Sequence, residues 1–232
     1  MIDGTTISQP LLWVTLTLVA YAAARRLYTR VPVALLHPVV LCTAAVIAVL
    51  KLTGTEYAAY MNGGQLISFF LGPSVVALSV PLYLNLQQMR RSAPMLLLVT
   101  VFGSLVGIVS AMVPALVLGA PDSLVLALAP KSVTTPIAIG IAEAIGGEAS
   151  LTATFVVLTG IIGAMLGPLF LRLLGVVHPV AVGLAMGSAA HGLGTARVLE
   201  DDRLAGAAGG LGICLCGILT AVFAPLITAG LL

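Results

Sequence analysis

The sequence predicts an all-α polytopic membrane protein with about six to eight transmembrane segments, two of them interrupted or re-entrant helices. Three observations carry this. Of the 232 residues, 60% are apolar and 8% charged, with mean hydropathy +1.18, whereas a soluble domain runs to about a quarter charged. Seven runs of at least twenty residues contain no Asp, Glu, Lys or Arg: Gly4 to Ala24, Val31 to Leu50, Tyr57 to Met89, Ser92 to Pro121, Ala149 to Leu171, Leu173 to Ala196 and Leu204 to Leu232. An eighth, Ser123 to Ala142, contains one charge, Lys131. With no water in the bilayer core, backbone groups must pair within each segment, so these runs are predicted to be helices.

The first run is expected to be a retained helix and not a signal peptide. Asp3 precedes it and Arg25, Arg26 and Arg30 follow it, the reverse of a cleavable leader, although Ala22-Ala23-Ala24 looks like a cleavage site. The same arginines, with Arg90, Arg91, Arg197 and Arg203, mark three cytoplasmic places by the positive-inside rule. Both termini are then extracytoplasmic, with Lys51 and Arg172 on the far side. A re-entrant first broken segment would bring Arg172 inside. Cys42, Cys214 and Cys216 all lie in apolar runs and read as small packing residues. Cys214 and Cys216 fall on different helix faces, which does not suit a metal site. Net charge is +2 with no long basic run, so nucleic acid has no support as a partner.

Two segments are poor lipid-facing helices. In Ala129-Pro130-Lys131-Ser132-Val133-Thr134-Thr135-Pro136, two prolines, a lysine and three hydroxyls cannot all sit in one continuous helix. Thr134 or Thr135 before Pro136 instead marks a helix start, which directs free N–H groups and partial positive charge toward Lys131. That helix should run through Glu143 and stop at Gly146-Gly147. The second segment is Gly187-Ser188-Ala189-Ala190-His191-Gly192-Leu193-Gly194-Thr195-Ala196-Arg197. Here Gly192 and Gly194 loosen the helix, and Thr195 caps a new one ending in Glu200-Asp201-Asp202. The interrupted stretches cover about residues 123–147 and 178–200.

Irregular backbone at membrane depth persists only where it is buried in protein or lines a water-filled cavity, and paired broken helices are the usual build of a transporter site. Lys131 would either snorkel to an interface or mark that site. His191 is equally readable as a packing residue or a site residue, and Glu143 as an edge residue or a proton carrier. His37-Pro38 and His178-Pro179 read as structural span entrances. Glycines four apart at Gly103/Gly107, Gly163/Gly167, Gly183/Gly187 and Gly206/Gly210 predict close helix packing. An inverted repeat suits the two broken segments, but recurrences of Leu-Gly-Pro (Leu71 and Leu166, 95 residues apart) and of His-Pro (His37 and His178, 141 apart) disagree on its register.

The stretch Pro130-Lys131-Ser132-Val133-Thr134-Thr135-Pro136-Ile137-Ala138 with Gly146-Gly147, and the later Gly183-Leu184-Ala185-Met186-Gly187-Ser188-Ala189-Ala190-His191-Gly192-Leu193-Gly194-Thr195-Ala196-Arg197, resemble the two signatures of the LrgB/CidB family. The resemblance runs over nearly the whole chain and implies a single LrgB-like integral membrane domain, residues 1–232, in a bacterial inner membrane. Bacterial members are described as antiholin-like proteins that modulate murein hydrolase export and autolysis with an LrgA/CidA-type membrane partner. A plastid relative is a glycolate/glycerate translocator, and some bacterial members are linked to pyruvate movement.

Residues and resemblance together lead to an expected secondary transporter of small 2-hydroxy or 2-oxo monocarboxylates, working by alternating access with ion or proton coupling. Its expected substrate site is Lys131, Ser132, Thr134, Thr135, Ser188, His191, Gly192, Gly194 and Thr195, with Glu143 or His191 carrying a coupling proton. The alternative is an antiholin-like lysis regulator with no solute of its own. No enzyme activity, cofactor or metal is expected. The expected partners are a small carboxylate, the LrgA/CidA-like protein, the lipid bilayer and further copies of the chain as a dimer or larger oligomer.

Overall fold

Each apolar run has to satisfy its own backbone in hydrocarbon, and the regular elements among the described residues are all helical. The computed structural model describes residues 4–31, 36, 38–70, 73, 76–77, 80, 83 and 93–231. His37, Leu71, Gly72, Arg90, Arg91 and much of the run from Tyr57 to Met89 lie outside the described residues. The chain forms two units, Met1–Ala77 and Leu78–Leu232. In the first, α1 (Gly4–Arg30) packs against α2 (Pro38–Thr53) and α3 (Tyr57–Phe69). Trp13 meets Tyr60 edge to face at 6.1 Å, and the Thr17 and Tyr60 hydroxyls lie 3.1 Å apart. Cys42 is buried there, its thiol 3.6 Å from the Thr17 carbonyl.

The second unit comprises α4 (Ala93–Val117), α5 (Asp122–Leu128), α6 (Thr135–Ile145), α7 (Ala149–Leu173), α8 (Pro179–Asp201) and α9 (Arg203–Leu231). Among the described residues, α4, α7 and α9 are long and apolar enough to cross a bilayer. The two segments between them turn back beside the middle of the long helices, Ser132 at Gly107 of α4 and His191 at Gly160 of α7.

The first broken segment is re-entrant. After α5 the chain continues in i→i−3 turns, with the amide of Lys131 bonded to Leu128 O (3.1 Å) and that of Val133 to Pro130 O (3.2 Å). It then reverses through extended Thr134 into α6. A continuous helix would carry residue 147 about 30 Å from residue 127. Instead, a Cβ placed on Gly147 would lie 3.0 Å from the Ala127 amide nitrogen, so α6 descends beside α5. Gly146 ends α6 in the left-handed region (φ 85°), where glycine has no Cβ penalty.

The second broken segment also turns back. The α8 helix is interrupted at Ala190 (φ −126°, ψ 16°) and His191 (φ 42°, ψ −132°). On its first limb, Gly183 and Gly187 fit closely against the backbone of Ala205 and Gly209. On its second limb, Thr195 and Leu199 fit against Gly209 and Gly206. The first limb thus runs along α9 and the second against it, with Val198 returned beside Met186. The expected break at Gly192 and Gly194 is therefore displaced to Ala190–His191. Gly192 faces open space, whereas a Cβ on Gly194 would meet Met186 O at 2.7 Å, so Gly194 serves contact between the limbs. Nor does Thr195 cap the new helix. Its hydroxyl is buried against Gly209 and lacks a hydrogen-bond partner among the described residues.

The two hairpins enter from opposite sides. Leu96 near the start of α4 packs with Ala207 and Ala208 near the start of α9, and Ser104 bonds to Cys216, so these helices run in parallel. In contrast, α7 runs from Gly160 beside the His191 ring to Arg172 beside Pro179 and Asp202. Hence α4 with the first hairpin and α7 with the second form an inverted pair. Both crossing helices have 25 residues, and they begin 56 positions apart, at Ala93 and Ala149. The same interval relates Gly107 to Gly163 and Ser132 to Ser188. It also relates Gly119 (φ 71°) to Gly175 (φ 73°), the left-handed residues that follow each crossing helix. The repeat interval is 56, and neither recurrence noted in the sequence marks it.

Two outcomes are expected. In a background without native cysteines, Asp122→Cys and Glu148→Cys should react with an impermeant maleimide from one side of the membrane and Asp202→Cys from the other. Gly187→Val, whose side chain meets the Gly209 backbone, should lower stability by about 2 kcal/mol or more, read as a loss of thermal midpoint in detergent, while Gly103→Ala should leave it unchanged.

Candidate functional site

A cavity of about 780 Å³ lies between α4, the first limb of α8 and the tip of the first hairpin. The end beside Met95 and His178, its mouth, is at the level where α4 and α8 begin, and the cavity is also open along its side, where Val99, Gly103, Val106 and Ser110 are exposed. Its wall continues past Val99, Gly103 and Leu184, and its inner end holds Lys131, Ser132, Gly107 and Ser188. Two of these three pieces of chain owe their course to proline: Pro179 starts α8, and Pro130 and Pro136 bracket the turn that presents Lys131.

Lys131 is half-buried, and its ammonium donates to Ser132 Oγ at 3.2 Å. No carboxylate among the described residues lies within ion-pairing distance of it. An ammonium withdrawn from water without a counter-ion is costly, which makes this end of the cavity attractive to an anion. The start of α6 adds to that field. Thr134 occupies the N-cap position in extended conformation, but its side chain makes no capping bond, so the hydroxyl does not take up the amides as expected. Beneath the lysine, Ser104 Oγ donates to Cys216 Sγ (3.5 Å), and Cys216 Sγ lies 3.4 Å from Ser188 O. That buried thiol joins α4, α8 and α9, whereas Cys214 is exposed.

Of the expected site residues, the structure brings Lys131, Ser132 and Ser188 to this cavity. Thr134 and Thr135 are half-buried at the adjacent helix start, off the cavity wall. His191, Gly192, Gly194 and Thr195 are not on the wall either. The imidazole turns toward α7: Nε2 lies 3.0 Å from Val156 O, and because a carbonyl only accepts, Nε2 carries the proton. The ring fits the notch left by Gly160, where a Cβ would lie 2.7 Å from it. His191 is also the one non-glycine with positive φ among the described residues, a conformation that costs about 1–3 kcal/mol. Glu143 is exposed in the last turn of α6, on the side opposite the cavity mouth.

Sequence reasoning missed His178 at the mouth, Gly103 and Ser110 on the α4 wall, and the Ser104–Cys216 link. The small residues Gly103, Gly107 and Ser110 along α4 are a legible signal, and the spacing of Gly103 and Gly107 predicts close packing. Among the described residues nothing lies within 4 Å of the Cβ position of Gly103, so the close packing is at Gly107. Among the described residues, no cluster of three His, Cys, Asp or Glu is placed to hold a metal.

His191→Ala should lose the bond to Val156 while keeping the strained backbone, at a cost of about 2–4 kcal/mol. His191→Gly should recover about 1 kcal/mol of that by relieving the strain. The order of thermal midpoints in detergent, wild type above Gly above Ala, checks both.

The LrgB-like family matches residues 17–229. The chain is 39% identical to the uncharacterized protein YxaC of Bacillus subtilis over 214 residues, covering 92% of this chain and 93% of that one. It is 35% identical to an uncharacterized Haemophilus influenzae protein over 216 residues, 93% of this chain and 94% of the relative. The holin-like protein CidB of Staphylococcus epidermidis is 31% identical over 219 residues, covering 94% and 96%. No solved structure matches. With the paired broken helices, this near full-length similarity establishes that the chain is a bacterial helical membrane protein belonging to the LrgB family.

Proposed function

We propose that this chain is a secondary transporter of small 2-hydroxy and 2-oxo monocarboxylates. The observation that carries the reading is Lys131, a cation without a carboxylate partner among the described residues, at the inner end of the cavity. A carboxylate supplies the missing charge, the Ser132 hydroxyl offers an adjacent hydrogen bond, and the uncapped start of α6 adds a partial positive charge. No residue is assigned a catalytic step.

Orientation follows from charge. In residues 93–231, Arg172 and Arg203 end up on the side of the cavity mouth, with Arg197 on the limb that returns to it. The opposite side has Asp122, Glu143 and Glu148 and no Lys or Arg. By the positive-inside rule the mouth faces the cytoplasm and the C-terminus faces outward, in an inner membrane. Inverted hairpins give a route to alternating access: in this state the cavity parts the second hairpin from α4 beyond the Leu96–Leu184 contact, while Val125, Ala129 and Ala138 of the first cluster with Val156 of α7 and Ile108 of α4. Exchanging which pair is closed would open the Lys131 end to the other side. Coupling to a proton through Glu143 or His191, action with an LrgA/CidA-type partner and assembly into a dimer or larger oligomer belong to the same reading.

A second reading is favoured by one observation: relatives at 31% identity are named holin-like protein CidB. On that reading the chain regulates murein hydrolase export and lysis with its partner and moves no solute.

Uptake of labelled glycolate, glycerate and pyruvate into proteoliposomes, with and without a pH gradient, tests the transporter. Saturable uptake is expected, and Lys131→Ala should reduce it by about ten- to a hundredfold, the worth of a charge-assisted bond, with membrane insertion intact. Undiminished uptake in Lys131→Ala overturns the site. Absence of uptake both alone and with the partner, alongside control of lysis by the wild-type chain, supports the regulator.

A further inference from the structure

We infer that the cavity is a tail pocket as well as an entry path, and that the site prefers 2-oxo or 2-hydroxy monocarboxylates bearing an apolar side chain over the two- and three-carbon acids. The inference deepens the transport reading and rests on it. Its first support is the distribution of polarity. The ammonium and the Ser132 and Ser188 hydroxyls gather at the inner end, while the wall between them and His178 at the mouth is built of Leu96, Val99, Val180 and Leu184. An acid with oxygen on every carbon would leave its outer hydroxyls facing these side chains without partners, at a cost. An alkyl tail would be buried there with gain.

The second support is size. About 780 Å³ falls within the roughly 300–1,000 Å³ range of pockets that enclose drug-sized ligands, far more than a three-carbon acid needs. The third is register. Gly107 packs on Ser132, a Cβ there lying 3.5 Å from the hydroxyl, which fixes the depth of the carboxylate end. Gly103 lies one helical turn nearer the mouth, about 5.4 Å along the axis. A three- or four-carbon tail on a carboxylate held by Lys131 ends at that level. Gly103 also lines the cavity, and none of the described residues comes within 4 Å of its Cβ position, so the space a tail would occupy is open among them. Gly103 is thus assigned as the residue that sets tail length.

The test is a chain-length series, pyruvate, 2-oxobutanoate, 2-oxopentanoate and 2-oxohexanoate, competing for uptake of labelled pyruvate in proteoliposomes of the full chain, with its partner if uptake requires it. Affinity should rise about two- to fourfold per methylene, a fully buried methylene giving the upper value and the part-open wall the lower. Gly103→Leu, which fills open space without a clash, should collapse the 2-oxohexanoate-to-pyruvate affinity ratio by about tenfold or more. Saturable pyruvate uptake with a flat or falling series overturns the tail pocket and leaves the transporter intact. An unchanged ratio in Gly103→Leu also overturns it, because the tail then lies elsewhere. Direct binding of the series to purified wild type and Lys131→Ala completes the test. A chain-length rise that survives in Lys131→Ala is partition into lipid and overturns the inference. Failure of every acid to bind or be taken up overturns the transport reading itself.

Discussion

A backbone amide cannot be left facing hydrocarbon, and among its described residues this chain reverses direction twice beside the middle of its long helices. Both reversals survive because neighbouring helices come close enough to bury them. The α9 helix does most of this for the second hairpin. Its Ala205, Gly206, Gly209 and Gly212 present backbone instead of side chains, so both limbs of α8 approach within reach of its main chain. The crossing helices do the rest: Gly107 lies under Ser132 at one tip, and Gly160 and Gly163 lie under His191 and Ala190 at the other. A residue with bulk at these points would hold the limbs apart and expose the turn.

The inverted pair shares a frame and divides the chemistry. Ser132 and Ser188 stand at equivalent places in the two repeats, yet the place equivalent to Lys131 is Gly187, which is needed for contact with Gly209. One tip therefore carries the charge and opens to the cavity. The other is fastened by an imidazole to the Val156 carbonyl and takes up backbone strain to do so. Of the two equivalent tips among the described residues, one therefore holds a lysine and the other does not. The thiol of Cys216 sits between the halves, touching α4 through Ser104 and α8 through Ser188.

Cavity and charge act together. A lysine on an open surface would be hydrated and weak as an anion site, and a lysine in a closed core would be driven toward neutrality. At the end of a pocket whose wall is apolar, it retains both field and access. Space along α4 at Gly103, open among the described residues, gives that pocket its reach toward the mouth.

Much of this was determined by the sequence alone. Hydropathy sets the helices, because an apolar run has no other way to satisfy its backbone in lipid. Pro130, Pro136 and Gly146 set the limits of the first broken segment, because ring geometry and a left-handed cap act locally. Lys131 stood out for its cost. The tertiary structure decided the rest. Re-entry, as opposed to a kinked crossing, depends on residues far apart in sequence, such as Ala127 and Gly147 or Gly183 and Ala205. The second break fell on His191 instead of the adjacent glycines because a hydrogen bond to α7, 35 positions away, outweighs local backbone preference. For the same reason the direction of the imidazole, away from the cavity, and the emptiness beside Gly103 could not be read from spacing: both are set by which helix stands opposite, and that is a property of packing.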